Sequence, residues 1–205
     1  MTRIQGFCFF LCLLAILSVS GQTFSSEAKA ASLSSKKVLM IIASRDFHDQ
    51  EFIKPKKILE KNGIKITIAS TSLRVATGMY ELRVKPDLLI KQAKADNYDA
   101  IIFVGGIGAS ALADDPSALS LVREAQRNNK IIGALCIAPV ILAKAGILEG
   151  KKAAVSPYGI NDLKKAKAFC SGKKVEIDGN IITGGDPGAA EDFGNAIIKA
   201  LSAIK

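Results

Sequence analysis

The sequence predicts an α/β protein with a mostly parallel central sheet and helices on both faces, and three observations carry that prediction. Short, continuously apolar, β-branched runs recur along the chain, as strands buried on both faces require. Segments of helical period separate these runs, so strand and helix alternate as they do in βαβ units. The 205 residues are 49% hydrophobic, enough for one sizeable core in one domain. Together they describe a flavodoxin-like three-layer sandwich.

The N-terminal apolar run is of another kind. Thr2-Arg3 precede a dominantly apolar stretch from about Phe7 to Val19, and the small residues Ala28 and Ala30 follow. A charged start, a short apolar core and a small-residue site are the layout of a secretory signal peptide. The stretch is about a dozen residues, below the ~20 of a spanning helix. The expectation is therefore a signal peptide over 1–30, a linker over 31–36 and a folded domain over 37–205. The domain would be exported, periplasmic or secreted, with no stable membrane insertion after cleavage. Cys8 and Cys12 would leave with the leader. Cys136 and Cys170 would remain, in a compartment where the pair could be bridged or free.

Val38–Ala43 reads as the first central strand, and a helix over about 50–61 follows. It is closed by Asn62-Gly63, with the glycine placed for a left-handed cap. Ile64–Ala69 is the next strand, residues 73–85 suggest a small hairpin around Thr77-Gly78, and Leu88–Ala95 reads as a short helix. A strand over 100–104 ends at Gly105-Gly106-Ile107-Gly108. A helix over 116–128, a strand over 131–135 and a helix over 138–145 come next. The last third carries a strand near 153–155, a helix over 160–168 and a two-strand signal around Asp178-Gly179. That hairpin turn makes one sheet edge antiparallel. A final helix spans about 188–203, with Phe193, Ile197 and Leu201 on one face.

Ligands in such sheets sit outside the carboxyl ends of the strands. Three segments qualify: Arg45–Glu51, Gly105–Gly108 and Cys136-Ile137. Cys136 stands where a strand ends and a helix begins, so its sulfur is aimed at the open top of the sheet. The helix amides there would lower its pKa and favour the nucleophilic thiolate. Gly105-Gly106 permit close backbone approach, and the Gly106 and Ile137 amides would form an oxyanion hole opposite the sulfur. Glu51 opens the first helix and gains meaning if it faces Cys136.

The combination Asp46-Phe47-His48-Asp49-Gln50-Glu51, the Gly105-Gly106 turn, the elbow Gly133-Ala134-Leu135-Cys136-Ile137-Ala138-Pro139 and Asp178-Gly179-Asn180 with Pro187-Gly188 resembles the DJ-1/PfpI superfamily. The order and spacing of these motifs match over essentially all of 37–204. The resemblance implies a class I glutamine amidotransferase-like fold, with Cys136 as the reactive cysteine and Glu51 as the carboxylate that holds it as a thiolate. It also implies a homodimer or larger homo-oligomer.

Two departures accompany it. Peptidase-like members carry His directly after the cysteine, where Ile137 stands. The deglycase-like branch carries a nearby His where Ser156 stands. The sole histidine, His48, is at neither position and reads as a surface loop residue, so Glu51, Tyr158 or water would have to serve as base.

One His and two mature Cys furnish no metal site of the usual N/S kind, and no cofactor motif is present. The net charge of +9 is spread along helix faces such as Lys54, Lys56, Lys57 and Lys61, which describes a solvated face and no nucleic-acid surface. The expected function is a stress-response protein that detoxifies small reactive carbonyls, glyoxalase- or deglycase-like and weak. The alternative is a non-catalytic cysteine sensor of oxidants or a chaperone-like stress protein, and a cysteine peptidase stands third because the adjacent His is missing.

Overall fold

The structure, a computed structural model, describes residues 33–204, so the expected leader with Cys8 and Cys12 lies outside the described residues. β1 (Lys37–Ile41) leads through a short β2 (Arg45–Phe47) into α1 (Asp49–Lys61). That helix ends at the C-cap Asn62, with Gly63 left-handed at φ 76°. β3 (Lys65–Ser70) completes the first βαβ unit. The predicted hairpin is present as β4 (Ala76–Gly78) and β5 (Arg83–Val84), antiparallel, and β2 joins it to make a separate three-stranded sheet.

The helix predicted over 88–95 is instead a strand, β6 (Leu88–Leu89), followed by single 3₁₀ turns at Ile90–Gln92 and Ala95–Asn97. Ala69 and Ser70 offer an open parallel edge that takes Leu88 and Leu89 in register. The Gln92 side chain then accepts the Leu89 N–H at 3.0 Å, which closes a turn before a helix nucleus can propagate.

β7 (Ala100–Phe103), α2 (Ala109–Leu112), α3 (Pro116–Arg127), β8 (Ile131–Leu135) and α4 (Pro139–Lys144) follow. α3 begins where the Asp115 carboxylate accepts the Ala118 N–H, with proline in the first turn. The last third holds β9 (Lys152–Ala153), α5 (Ile160–Lys165), β10 (Phe169–Cys170), β11 (Val175–Asp178), β12 (Ile181–Gly184) and α6 (Ala190–Ala203).

The main sheet runs β11-β12-β8-β7-β1-β3-β6 and is parallel except for the β11–β12 hairpin, as the Asp178-Gly179 signal predicts. Strand alternation sorts the core into two layers. Leu39, Ile41, Ile101, Phe103 and Ile132 face Leu121, Val122, Ile141 and Leu142 of α3 and α4. Val38, Met40 and Ile102 face Phe52 and Leu59 of α1 and Phe193, Ile197 and Leu201 of α6. Each such side chain stabilises the fold by about 1.5–3 kcal/mol through burial. The sheet is thereby clamped from both sides, and its carboxyl edge, where β1, β7 and β8 end together, becomes a rigid platform.

Candidate active site

Cys136 occupies the sharp turn after β8, with φ 58°. This left-handed conformation is unfavourable for a residue with a Cβ, and neighbours on both sides enforce it. The Cys136 N–H donates to Gly184 O at 2.8 Å, and Cys136 O accepts the Ser156 N–H at 2.9 Å. β12 and the segment after β9 therefore hold the elbow from outside.

Glu51 sits in the first turn of α1 and is fully buried. Its Oε2 accepts the Gly105 N–H at 3.0 Å. Oε1 is buried without a hydrogen-bond partner among the described residues, and the Cys136 thiol lies beside the carboxyl. Gly105 is where these two groups come together: a Cβ there would lie 2.4 Å from Glu51 Oε2 and 2.9 Å from the Cys136 Cβ. Gly106, at φ 104°, passes so close to the His48 backbone that a Cβ would lie 2.4 Å from its nitrogen.

Burial pushes the Glu51 carboxyl up to about 7, with the Gly105 N–H and the Cys136 thiol opposing. Burial, and then the Glu51 charge, push the Cys136 thiol up to about 12, against the hydroxyl of Ser156 and the N–H of Ile137. The position of Cys136 on a strand-to-helix turn predicts the reverse direction. The reason for the difference is local: Ala138 N–H is already bonded to Leu135 O at 2.8 Å, and α4 is a single short helix starting only at Pro139. The Ile137 amide is left to stabilise negative sulfur against a desolvated site that already holds a carboxyl group.

A cleft of about 760 Å³ opens above this pair, lined by Cys136, Ile137, Gly106, Ser156 and His48, with Ile107 and Tyr158 among the residues of its lip. The Gly106 N–H has no partner among the described residues. Ser156 is buried, and its Oγ meets no other group than the sulfur. Tyr158 is 90% exposed. His48 lies in the loop that its sequence position suggests, at the N-cap of α1, but it is half-buried and lines the cleft. Its neighbourhood was not legible in sequence because it depends on the β4–β5 hairpin folding back over the start of α1. Cys170 is distant in kind: it is exposed on β10, and both described cysteines are free.

A parallel α/β sandwich with a cysteine on a strand-to-helix elbow and a buried carboxyl beside it defines a protein of the nucleophile-elbow class. The model of the DJ-1/PfpI family matches residues 36–200, and the chain belongs to that family. It is 40% identical over 191 residues to an uncharacterized protein from Methanocaldococcus jannaschii, covering 92% of this chain and 93% of the relative. It is 29% identical to deglycase PfpI from Pyrococcus furiosus, over 80% of this chain and 98% of that protein. The crystal structure of a ThiJ/PfpI domain protein from Brachyspira murdochii superposes with a TM-score of 0.81 at 31% identity, covering 82% of this chain and 98% of that one.

Proposed function

We propose that the chain is a Cys136-dependent protein that adds to small reactive carbonyls and converts them slowly, in the glyoxalase or deglycase manner. The observation that carries this is the buried Glu51 carboxyl, pushed up to about 7, against a thiol that needs a base. A base with a pKa near the working pH is the one best suited to general catalysis. As the sulfur forms its bond to the aldehyde carbon of a 2-oxoaldehyde, the thiol proton passes to Glu51 and the carbonyl pair moves to oxygen. The Gly106 and Ile137 N–H groups hold that oxygen, which then takes the proton back. Transfer of the remaining C–H hydrogen to the neighbouring carbon as a proton gives a thioester of a 2-hydroxy acid. Water cleaves the thioester and returns the thiol, so dicarbonyl plus water yields hydroxy acid with no redox partner.

The positions that carry imidazole in the family's peptidase-like and deglycase-like members hold Ile137 and Ser156, so turnover is slow and peptide cleavage is absent. The relative named a deglycase supports the carbonyl reading at 29% identity. A second reading is favoured by the Ser156 hydroxyl and Ile137 amide beside the sulfur: these donors would also hold the oxygens of a sulfinate, formed by two peroxide equivalents with release of two waters. In either case the protein serves the stress response, outside the cytoplasm if the leader directs export.

Mass measurement after exposure to methylglyoxal tests the proposal. An adduct on Cys136 supports it. Modification confined to lysine and arginine, with Cys136 untouched, overturns it.

A further inference from the structure

The second half of the proposed reaction moves a proton between adjacent carbons, and no group at the family's imidazole positions can do this. We propose that His48, entering from the start of α1, is the catalytic base for that proton transfer. The inference rests on the carbonyl reading of Cys136.

Three structural features carry it. His48 and Cys136 line the same cleft, with the Gly105-Gly106 loop running between them. The His48 N–H donates to Gly105 O at 2.8 Å, which ties the backbone of the base to the loop that packs on Cys136. The imidazole is also held in place from outside. Asp49, itself buried, accepts the N–H groups of Tyr80 at 3.1 Å and Leu82 at 2.9 Å, strapping the β4–β5 turn onto α1. That strap sets the Tyr80 ring edge-on to His48, with centroids 5.4 Å apart at 68°.

A histidine with a purely structural role pairs its buried nitrogen with another residue. His48 does not: Nδ1 is buried and meets nothing but its own main chain among the described residues. Burial holds the imidazole below its ordinary pKa, although the adjacent Asp49 carboxylate and a bond to the residue's own main chain act the other way, and Lys54 adds to the lowering. The lowering favours the neutral ring, the form able to accept a proton.

In the cleft it takes the proton from the carbon bonded to sulfur. The C–H pair becomes the C=C bond of an enediolate, whose former ketone oxygen takes a proton from water in the cleft. The imidazolium then returns its proton to the second carbon, while the first oxygen gives its own to the hydroxide so formed and becomes the thioester carbonyl.

The test uses wild type, His48→Gln, His48→Ala and Cys136→Ala with methylglyoxal in D2O, reading the Cys136 adduct by mass and lactate by NMR. His48→Gln is expected to form the adduct yet lose lactate by roughly 10²-fold, and added imidazole should restore part of it in His48→Ala. Lactate at the wild-type rate from His48→Gln, with none from Cys136→Ala, overturns the role of His48 and leaves the carbonyl reading standing. Loss of adduct and lactate together in both His48 variants shows a structural residue and overturns it as well. Lactate from Cys136→Ala at the wild-type rate, or none from wild type, overturns the carbonyl reading and the role of His48 with it.

Discussion

Glu51 and Cys136 meet as a buried carboxyl against a thiol, joined through Gly105, whose N–H bonds the carboxyl at 3.0 Å and whose α-carbon packs on the cysteine. Burial makes Glu51 resist ionisation, with the Cys136 thiol acting the other way, whereas the thiol is held up by burial and then by the Glu51 charge. On the proposed reading the pair works by passing a proton, with Glu51, pushed up to about 7, as its acceptor.

The rate of Cys136 alkylation should rise as pH passes through about 7, the value to which Glu51 is pushed, because ionised Glu51 is the acceptor of the thiol proton. Glu51→Gln should lose that inflection and react more slowly at pH 8. A Glu51→Gln profile identical to wild type would remove Glu51 from the chemistry.

Stability should show the opposite preference. The Glu51 pKa is raised on folding from 4.5 to about 7, so its neutral form suits the fold. That contribution is fully present below about 4.5 and is lost as pH rises through about 7. The shift corresponds to about 3 kcal/mol. Glu51→Gln should thus unfold at higher denaturant than wild type at pH 8.5, with the difference shrinking toward pH 4.5. A variant less stable at both pH values would contradict the burial argument.

The Ser156 hydroxyl favours negative sulfur and has no other partner. Ser156→Ala should slow alkylation of Cys136 by about tenfold, the scale of one hydrogen bond to a charged group. An unchanged rate would show that the hydroxyl does not reach the sulfur in solution.

Much of the architecture is legible in sequence because it rests on local rules. Ile131–Leu135 is apolar and short, Asn62-Gly63 stops a helix, and Asp178-Gly179 turns a hairpin, each for reasons contained within a few residues. β6 was hidden because Leu88 and Leu89 become a strand only when the edge at Ala69 and Ser70 is there to pair with them. The elbow and Glu51 could be named from motif and position, but the upward shift of the thiol could not. It follows from burial and from a carboxyl brought in by the packing of α1. The partial burial of His48 is illegible for a similar reason, since the Asp49 strap that folds Tyr80 over it joins segments distant in sequence.

Export is tested at the N-terminus of the protein recovered from cells. The small residues Ala28 and Ala30 predict a chain beginning just after Ala30. Recovery of a chain that retains Met1 would contradict the leader.

The most direct test of the Cys136–Glu51 account is lactate formation from methylglyoxal by wild type, Cys136→Ala and Glu51→Gln, measured side by side. The account predicts slow turnover by wild type, none by Cys136→Ala and a loss of roughly 10²-fold in Glu51→Gln. Lactate formed by Cys136→Ala at the wild-type rate would contradict it.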